Sequence, residues 1–497
     1  MLLRFMCSAF AVAAWATLTT QVARAQATTN QLGIPVVFPS PALGSAPLPD
    51  AFGAQSHPAP TPTPSPGHLS VSGRARAYYF RRLNAAQNAA NPNRYAFGLS
   101  GSPHLDYRVG DTPLNIGYTY FASTPFGIDG SNPLARSHVD NTLPGYSLSS
   151  PLHEAYVQYK DPYVYFTVGN QELNDPWLPA SDSRLKPASY QGIDSTFALT
   201  DSLSFSLTRV LRFESRNVST FQANTLLTAA YPGASLDHLH PFTPGTLRVA
   251  LNFHPSPRLV IAAENDEFYN IANLVYTEAK YGIAPSSKSN PYFAMQYIAQ
   301  TSLGTNQVGI VDNHTIGAQL GANLSKGLLF SASADSAPWN YAFVHASSAA
   351  AATAGYFDGA GGSGTAALVA PGIYKVAYGG IASPYTDSFA TDPLYTTQIT
   401  QGEVDRRSAG NSYKVALVYT PPNKQFRLIA GEAWYQYSNQ IAHNLTSEFN
   451  VDGTYYFNRV RPGPYKGLLA RVRIAPRTQP TLPYNFDYNR YQTEYDF

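Results

Sequence analysis

From Leu69 to Phe497 apolar and polar residues alternate along the chain in runs of about ten, the period of a β-strand. In 316–324, Ile316, Ala318, Leu320, Ala322 and Leu324 share one face, and Gly317, Gln319, Gly321 and Asn323 share the other. In 247–254, Leu247, Val249, Leu251 and Phe253 oppose Arg248, Asn252 and His254. In 466–474, Leu468, Ala470, Val472 and Ile474 oppose Leu469, Arg471 and Arg473. Seven short breaks rich in Pro, Gly, Asp or Asn divide such runs, at 110–112, 160–162, 200–201, 254–257, 325–327, 421–424 and 461–464; each reads as a hairpin turn. The segments between hairpins are long and polar, namely 123–152, 215–245, 268–312 and 379–410. Short turns at one end and long loops at the other are the signature of a barrel that crosses a membrane with strands. The polar face then looks into a wet lumen, because an Arg on lipid at mid-membrane costs about 2–4 kcal/mol. A soluble barrel would bury the apolar face inside instead.

The expected fold is therefore all-β: a transmembrane antiparallel up-and-down barrel over 69–497, with about 18 strands, or 16 as the alternative. Its short turns face the periplasm and its long loops the outside. A barrel of that size keeps an aqueous channel. Two segments precede it. Met1–Ala25 has Arg4, then an uncharged apolar stretch from Phe5 to Leu18, then Ala23-Arg24-Ala25, which reads as a cleaved export signal with Gln26 as the mature start. Residues 26–68 are rich in Pro, Ala, Ser and Thr without any hydrophobic period, which predicts an extended spacer. The spacer is too short and too Pro-rich for a plug or for periplasmic repeats.

Charge and cysteine narrow the function classes. The leader holds two arginines and no acid, so the remaining chain carries 31 basic and 31 acidic groups, a balance that gives a nucleic-acid binder no basic face. The one cysteine, Cys7, lies in the leader, which excludes a disulfide scaffold, a Cys-ligated metal and a thiol nucleophile from the mature chain. Asp237-His238-Leu239-His240 lacks further ligands nearby, so no metal or cofactor is expected. Phosphate-loop, nucleophile-elbow and zinc-protease motifs do not occur.

Four patches resemble a known family, the OprD-type substrate-specific porins. Pro179–Gly192 (PASDSRLKPASYQG) is similar to the family's signature. Arg76-Ala77-Tyr78-Tyr79-Phe80 resembles its first strand, Ser383-Pro384-Tyr385 its late-loop motif, and Gly463–Leu468 through Arg471-Val472-Arg473 its penultimate hairpin. The resemblance implies an 18-stranded barrel with an inward-folded third loop and an arginine ladder that guides small carboxylate-bearing solutes. It implies a monomer, with a trimer as the alternative that large barrels allow. The Pro-rich segment and 346–370 depart from the family pattern, and strands 12 and 13 cannot be placed there.

The resulting expectation is an outer-membrane porin for passive diffusion of small polar solutes such as carboxylates or amino acids. Its partners are those solutes, outer-membrane lipid and the barrel-assembly machinery. A barrel with hydrolase activity or a secretion or assembly pore is the alternative. Asp182 and Arg184 are the candidate constriction pair, where a narrow low-dielectric lumen focuses the field, or else a clamp within the loop. Arg74, Arg76, Arg248, Arg427, Arg471 and Arg473 lie on the polar phase of their strands and form the candidate ladder, or else ordinary solvated wall charges. Glu264 and Asp266, with Glu267, are acidic lumen candidates or a solvated strand end. Phe497, with Tyr495 and Tyr491 on the same phase, is the expected assembly signal of a closing strand.

Overall fold

The computed structural model describes residues 67–497 apart from 84–92, 128–146, 174, 176, 179, 181–184, 215–218, 222–243, 285–286, 306–308, 354, 357–364, 381–383, 387–408, 438–444, 458–466 and 479–485. Eighteen antiparallel strands form one sheet. They are β1 (Leu69–Leu83), β2 (Arg94–Arg108), β3 (Leu114–Pro125), β4 (Leu148–Lys160), β5 (Val164–Gln171), β6 (Ser189–Thr200), β7 (Leu203–Glu214), β8 (Thr246–Ser256), β9 (Leu259–Phe268), β10 (Ala272–Gly282), β11 (Tyr292–Ser302), β12 (Asp312–Ser325) and β13 (Leu328–Ala337). After a long excursion the sheet continues with β17 (Gly410–Tyr419), β18 (Phe426–Tyr437), β19 (Leu445–Tyr456), β20 (Leu468–Thr478) and β21 (Phe486–Asp496). Each strand pairs with its neighbour in sequence order, and β1 pairs with both β2 and β21. The sheet thus closes on itself, which removes its edges. Of the two expected strand numbers, 18 is the one observed.

Faces follow the alternation. Ile316, Leu320 and Leu324 of β12 point outward and are more than half exposed, while Gln319 between them is buried inside. On β20 Val472 and Ile474 are exposed outside and Arg473 is buried inside. Outward aromatics gather at the short-turn end, among them Tyr107, Tyr281, Tyr455, Tyr495 and Phe497, as an interfacial girdle requires. Short turns are held by local chemistry. At 161–163 the Asp161 carboxylate accepts the amides of Tyr163 and Val164, both at 2.7 Å, and the Tyr159 hydroxyl at 2.7 Å. These bonds hold its carboxyl below the usual range. The turn expected at 461–464 lies outside the described residues.

Two expectations are corrected. Residues 268–312 are not one long loop. They contain β10 and β11, with only Tyr269 to Ile271 between β9 and β10, and 283–291 between β10 and β11. The period is masked there because Ala272, Leu274 and Tyr276 on the inward face of β10 are apolar and buried, while the outward face mixes Asn273 and Thr277 with Val275, Ala279 and Tyr281. Strands 12 and 13 also precede the 346–370 region. That region belongs to a separate three-stranded sheet in the order β14–β16–β15, from β14 (Asn340–His345), β15 (Thr365–Ala370) and β16 (Ile373–Tyr378), with the one-turn helix α1 (Ala349–Thr353).

The inward apolar residues of β10 have a partner. Leu173, Trp177 and Leu178 of the 172–188 connection between β5 and β6 are buried against Phe213, Leu274, Tyr276 and Ile298. A hydrophobic core therefore sits inside the barrel, on the side of β7 to β11.

Candidate functional site

The 172–188 segment is fastened at both ends. Near its start Asp175 lies 3.2 Å from Arg248 on β8. Near its end Lys186, fully buried, reaches Glu214 at the end of β7 at 2.5 Å. Glu214 also accepts the Ser150 hydroxyl at 2.6 Å, and His153 on β4 lies between Glu172 and Glu214, with Nε2 3.1 Å from the first and Nδ1 3.5 Å from the second. Burial pulls the Lys186 ammonium down, against the pull of Glu214. The described residues of the segment thus fold inward, as the resemblance implied. Asp182 and Arg184, the expected constriction pair, lie outside the described residues, as do Asp237 to His240.

A second segment enters from the β13–β17 excursion. Tyr385 is 1% exposed, donates its hydroxyl to Glu278 on β10 at 2.7 Å, and packs against Tyr292, Ala294 and Leu329. Next to it the Thr386 and Ser412 hydroxyls share a hydrogen bond, and the Tyr435 hydroxyl donates to the Thr386 carbonyl at 2.9 Å. Residues 384–386 therefore cross the lumen from β10 and β11 to β17 and β18. Tyr292 opens β11 and Leu329 lies near the start of β13, so Tyr385 reaches toward the short-turn end.

The candidate arginines divide between two walls. Arg74 and Arg76 on β1, Arg427 on β18, and Arg471 and Arg473 on β20 face inward on one wall. Register stacks them: Arg427 and Arg471 both stand opposite Thr454, while Arg473 stands opposite Asp452 and Arg490. Arg248 is on β8, well round the barrel from this column. It lies against Asp175 and against Glu264 at 2.9 Å.

Carboxylates stand against these guanidiniums. Asp452 accepts three bonds from Arg471, at 2.8, 3.2 and 2.6 Å, and two from Arg473, at 2.9 and 2.5 Å. Glu494 lies 3.1 Å from Arg74 and 2.6 Å from Arg76, and Asp496 is 3.1 Å from Arg74. Arg490 on β21 stacks over Tyr78 at 5.6 Å. Alternation counted back from Phe497 places Arg490 and Glu494 inside, so the sequence held that signal. The partner Asp452 was not legible, because it requires the β19–β20 register. Among the described residues, arginines 74, 76, 471 and 473 stand against carboxylates 452, 494 and 496, with Arg490 beside Arg473 in the same column.

Glu264 and Asp266 are buried on the inner face of β9 and are not at a solvated strand end, since β9 runs on to Phe268. With Asp175 and Asp194 they surround the Arg248 guanidinium. Burial and the neighbouring acids push the Asp175 carboxyl up to about 7, against the pull of Arg248. Phe497 and Gly73 exchange two backbone hydrogen bonds at 3.0 Å, and Tyr495 and Phe497 stack outside the wall at 6.2 Å.

Residues 157–353 match the family model described as outer membrane porin, OprD family. The chain resembles the OprD-type porins. No curated relative matches it. Solved structures share the barrel. The Pseudomonas aeruginosa outer membrane protein OpdK superposes with a TM-score of 0.60 at 12% identity, over 86% of this chain and 98% of that one. A BenF-like porin from Pseudomonas fluorescens Pf-5 gives 0.62 at 12%, with the same coverage. Acinetobacter baumannii OccAB3 gives 0.60 at 14%, over 86% and 99%. At such identities the likeness concerns the fold: the OprD-type barrel is common to all of them, and the side chains that line it here are this chain's own.

Proposed function

We propose that this protein is an outer-membrane porin through which small polar solutes diffuse down their gradient, with carboxylates favoured along the arginine column. The column on β1, β20 and β21 carries the reading. It climbs the inner wall from Arg74 near the short-turn end through Arg76 and Arg471 to Arg473 and Arg490. The core of the 172–188 loop fills the side of β7 to β11, so the passage runs along the column's side. Arginine offers a planar fork that can hand a carboxylate from one site to the next. Asp452 and Glu494 hold the forks in place and weaken each site, which suits a channel that must release what it binds. One of the similar structures is Pseudomonas aeruginosa OpdK with vanillate, a carboxylate. Nothing among the described residues favours the hydrolase or secretion-pore alternative. The test is reversal potential and solute flux in planar bilayers and proteoliposomes, using benzoate, acetate and uncharged sugars of like size. Faster flux of the carboxylates supports the reading, and equal flux reduces it to a general diffusion pore.

A further inference from the structure

The two inward segments meet on one side chain. Glu278 is 3% exposed on the inner face of β10, and each of its carboxylate oxygens receives a phenol. Tyr385, from the segment that enters between β13 and β17, donates to Oε1 at 2.7 Å. Tyr276, one turn of the pleat away on the same face of β10, donates to Oε2 at 3.1 Å. Tyr276 is in turn the surface on which the 172–188 loop lands, for the Trp177 ring stands edge-on to it with centroids 5.8 Å apart and is itself 1% exposed. A continuous path runs Trp177–Tyr276–Glu278–Tyr385, from one constricting segment through the wall to the other.

We propose that Glu278 is a positioning residue that couples the two inward segments, so that 172–188 and 384–386 set the width of the passage as one unit. An ionised carboxylate is suited to this. It accepts on both oxygens at once, and in a poorly hydrated site each charge-assisted bond orients its phenol more firmly than a neutral one would. The phenol of Tyr276 fixes the ring on which Trp177 rests, so disturbance at Tyr385 reaches the other loop through the wall. Edge-on aromatic packing is directional, and a tilt of one ring displaces the other.

The inference rests on the porin reading for its functional meaning, but its test does not need transport. The reporter is Ala180→Cys in the 172–188 loop, in a Cys7→Ser background that leaves it the only cysteine. Its rate of modification by N-ethylmaleimide is read on the refolded, heat-modifiable chain. Tyr385→Phe, which removes one hydroxyl from the other segment, should raise that rate about tenfold, the scale of one lost charge-assisted hydrogen bond. Tyr276→Phe should do the same, and the double variant should react no faster than either alone, because both interrupt one path. An unchanged rate in Tyr385→Phe, or fully multiplicative effects in the double variant, overturns the coupling. Both variants keep their rings and need no new packing; Glu278→Ala, if it folds, should match them, and a rate equal to the parent's counts against the proposal. Failure of the chain to conduct would remove the porin reading and leave the modification rates to decide the coupling.

Discussion

Asp452 holds two guanidiniums on one carboxylate, and that arrangement sets the sign of what substitution does. Arg471→Gln with Arg473→Gln removes two positive charges and releases Asp452 into the lumen, so reversal potential should shift toward cations and benzoate flux should slow. Asp452→Asn keeps the shape and leaves both arginines charged, so it should shift selectivity the other way. The Asp452 pairs are buried, so salt screens them less than it screens the solute, and both shifts should be largest at low salt, where the screening length reaches about 30 Å at 0.01 M. Unchanged reversal potential in both variants would remove the column from the mechanism. Asp175 gives a pH dependence. Its folded value, near 7, lies above the ~4 of an unfolded aspartate. Its contribution is therefore fully present below about pH 4 and is lost as pH rises through 7. The urea midpoint of the parent should fall between about pH 5 and 8 by more than that of Asp175→Asn, and equal falls would place the titration elsewhere. At this scale the sequence showed which face each arginine takes, because the period of two decides that. It did not show that Arg248 stands apart from the others or that Asp452 and Glu494 neutralise part of the column, since partners depend on register between strands distant in sequence.

Two strand pairs share a device in which tyrosine covers glycine. Gly117 on β3 stands opposite Tyr156 on β4, and Gly321 on β12 stands opposite Tyr292 on β11. At either glycine a Cβ would overlap the tyrosine ring. Gly321→Ala should therefore displace Tyr292, break its 2.9 Å bond to Gln319 and lower stability by about 1–3 kcal/mol, measured as a fall in urea midpoint. Restoration by Tyr292→Ala in the same chain would confirm the overlap as the cause. Alternation revealed the strands whose two faces meet different surroundings, such as β8, β12 and β20. It failed at β10, where Leu274 and Tyr276 meet a loop core inside and the outer face mixes Asn273 and Thr277 with apolar residues. The 384–386 segment was visible only as a resemblance, because nothing in Pro384-Tyr385-Thr386 by itself tells that Tyr385 ends on Glu278.

The barrel begins at β1, and no described strand draws on the Pro-rich residues before it. Removing residues 30–67 should leave heat-modifiability and single-channel conductance unchanged, and loss of folding would show that segment to be structural. The seam between β1 and β21 has a further consequence. Arg74 and Asp496, which meet there, are 422 residues apart in sequence. Deleting Phe497 removes its two bonds to Gly73 and should lower the folded fraction recovered from membranes. Every other strand of the wall finds its neighbour within the same hairpin or the next, but β1 must wait for the whole of the rest. Its outer row of amides and carbonyls therefore stays unmatched throughout assembly, in a medium where lipid offers no hydrogen bonds. Such a joint forms late and slowly, since the loop it closes is the longest the chain contains. Time, more than energy, is then the hazard: an intermediate with seventeen joints made and one missing presents two open strands to its neighbours, and whatever shields that gap decides whether the protein arrives as a channel or as an aggregate.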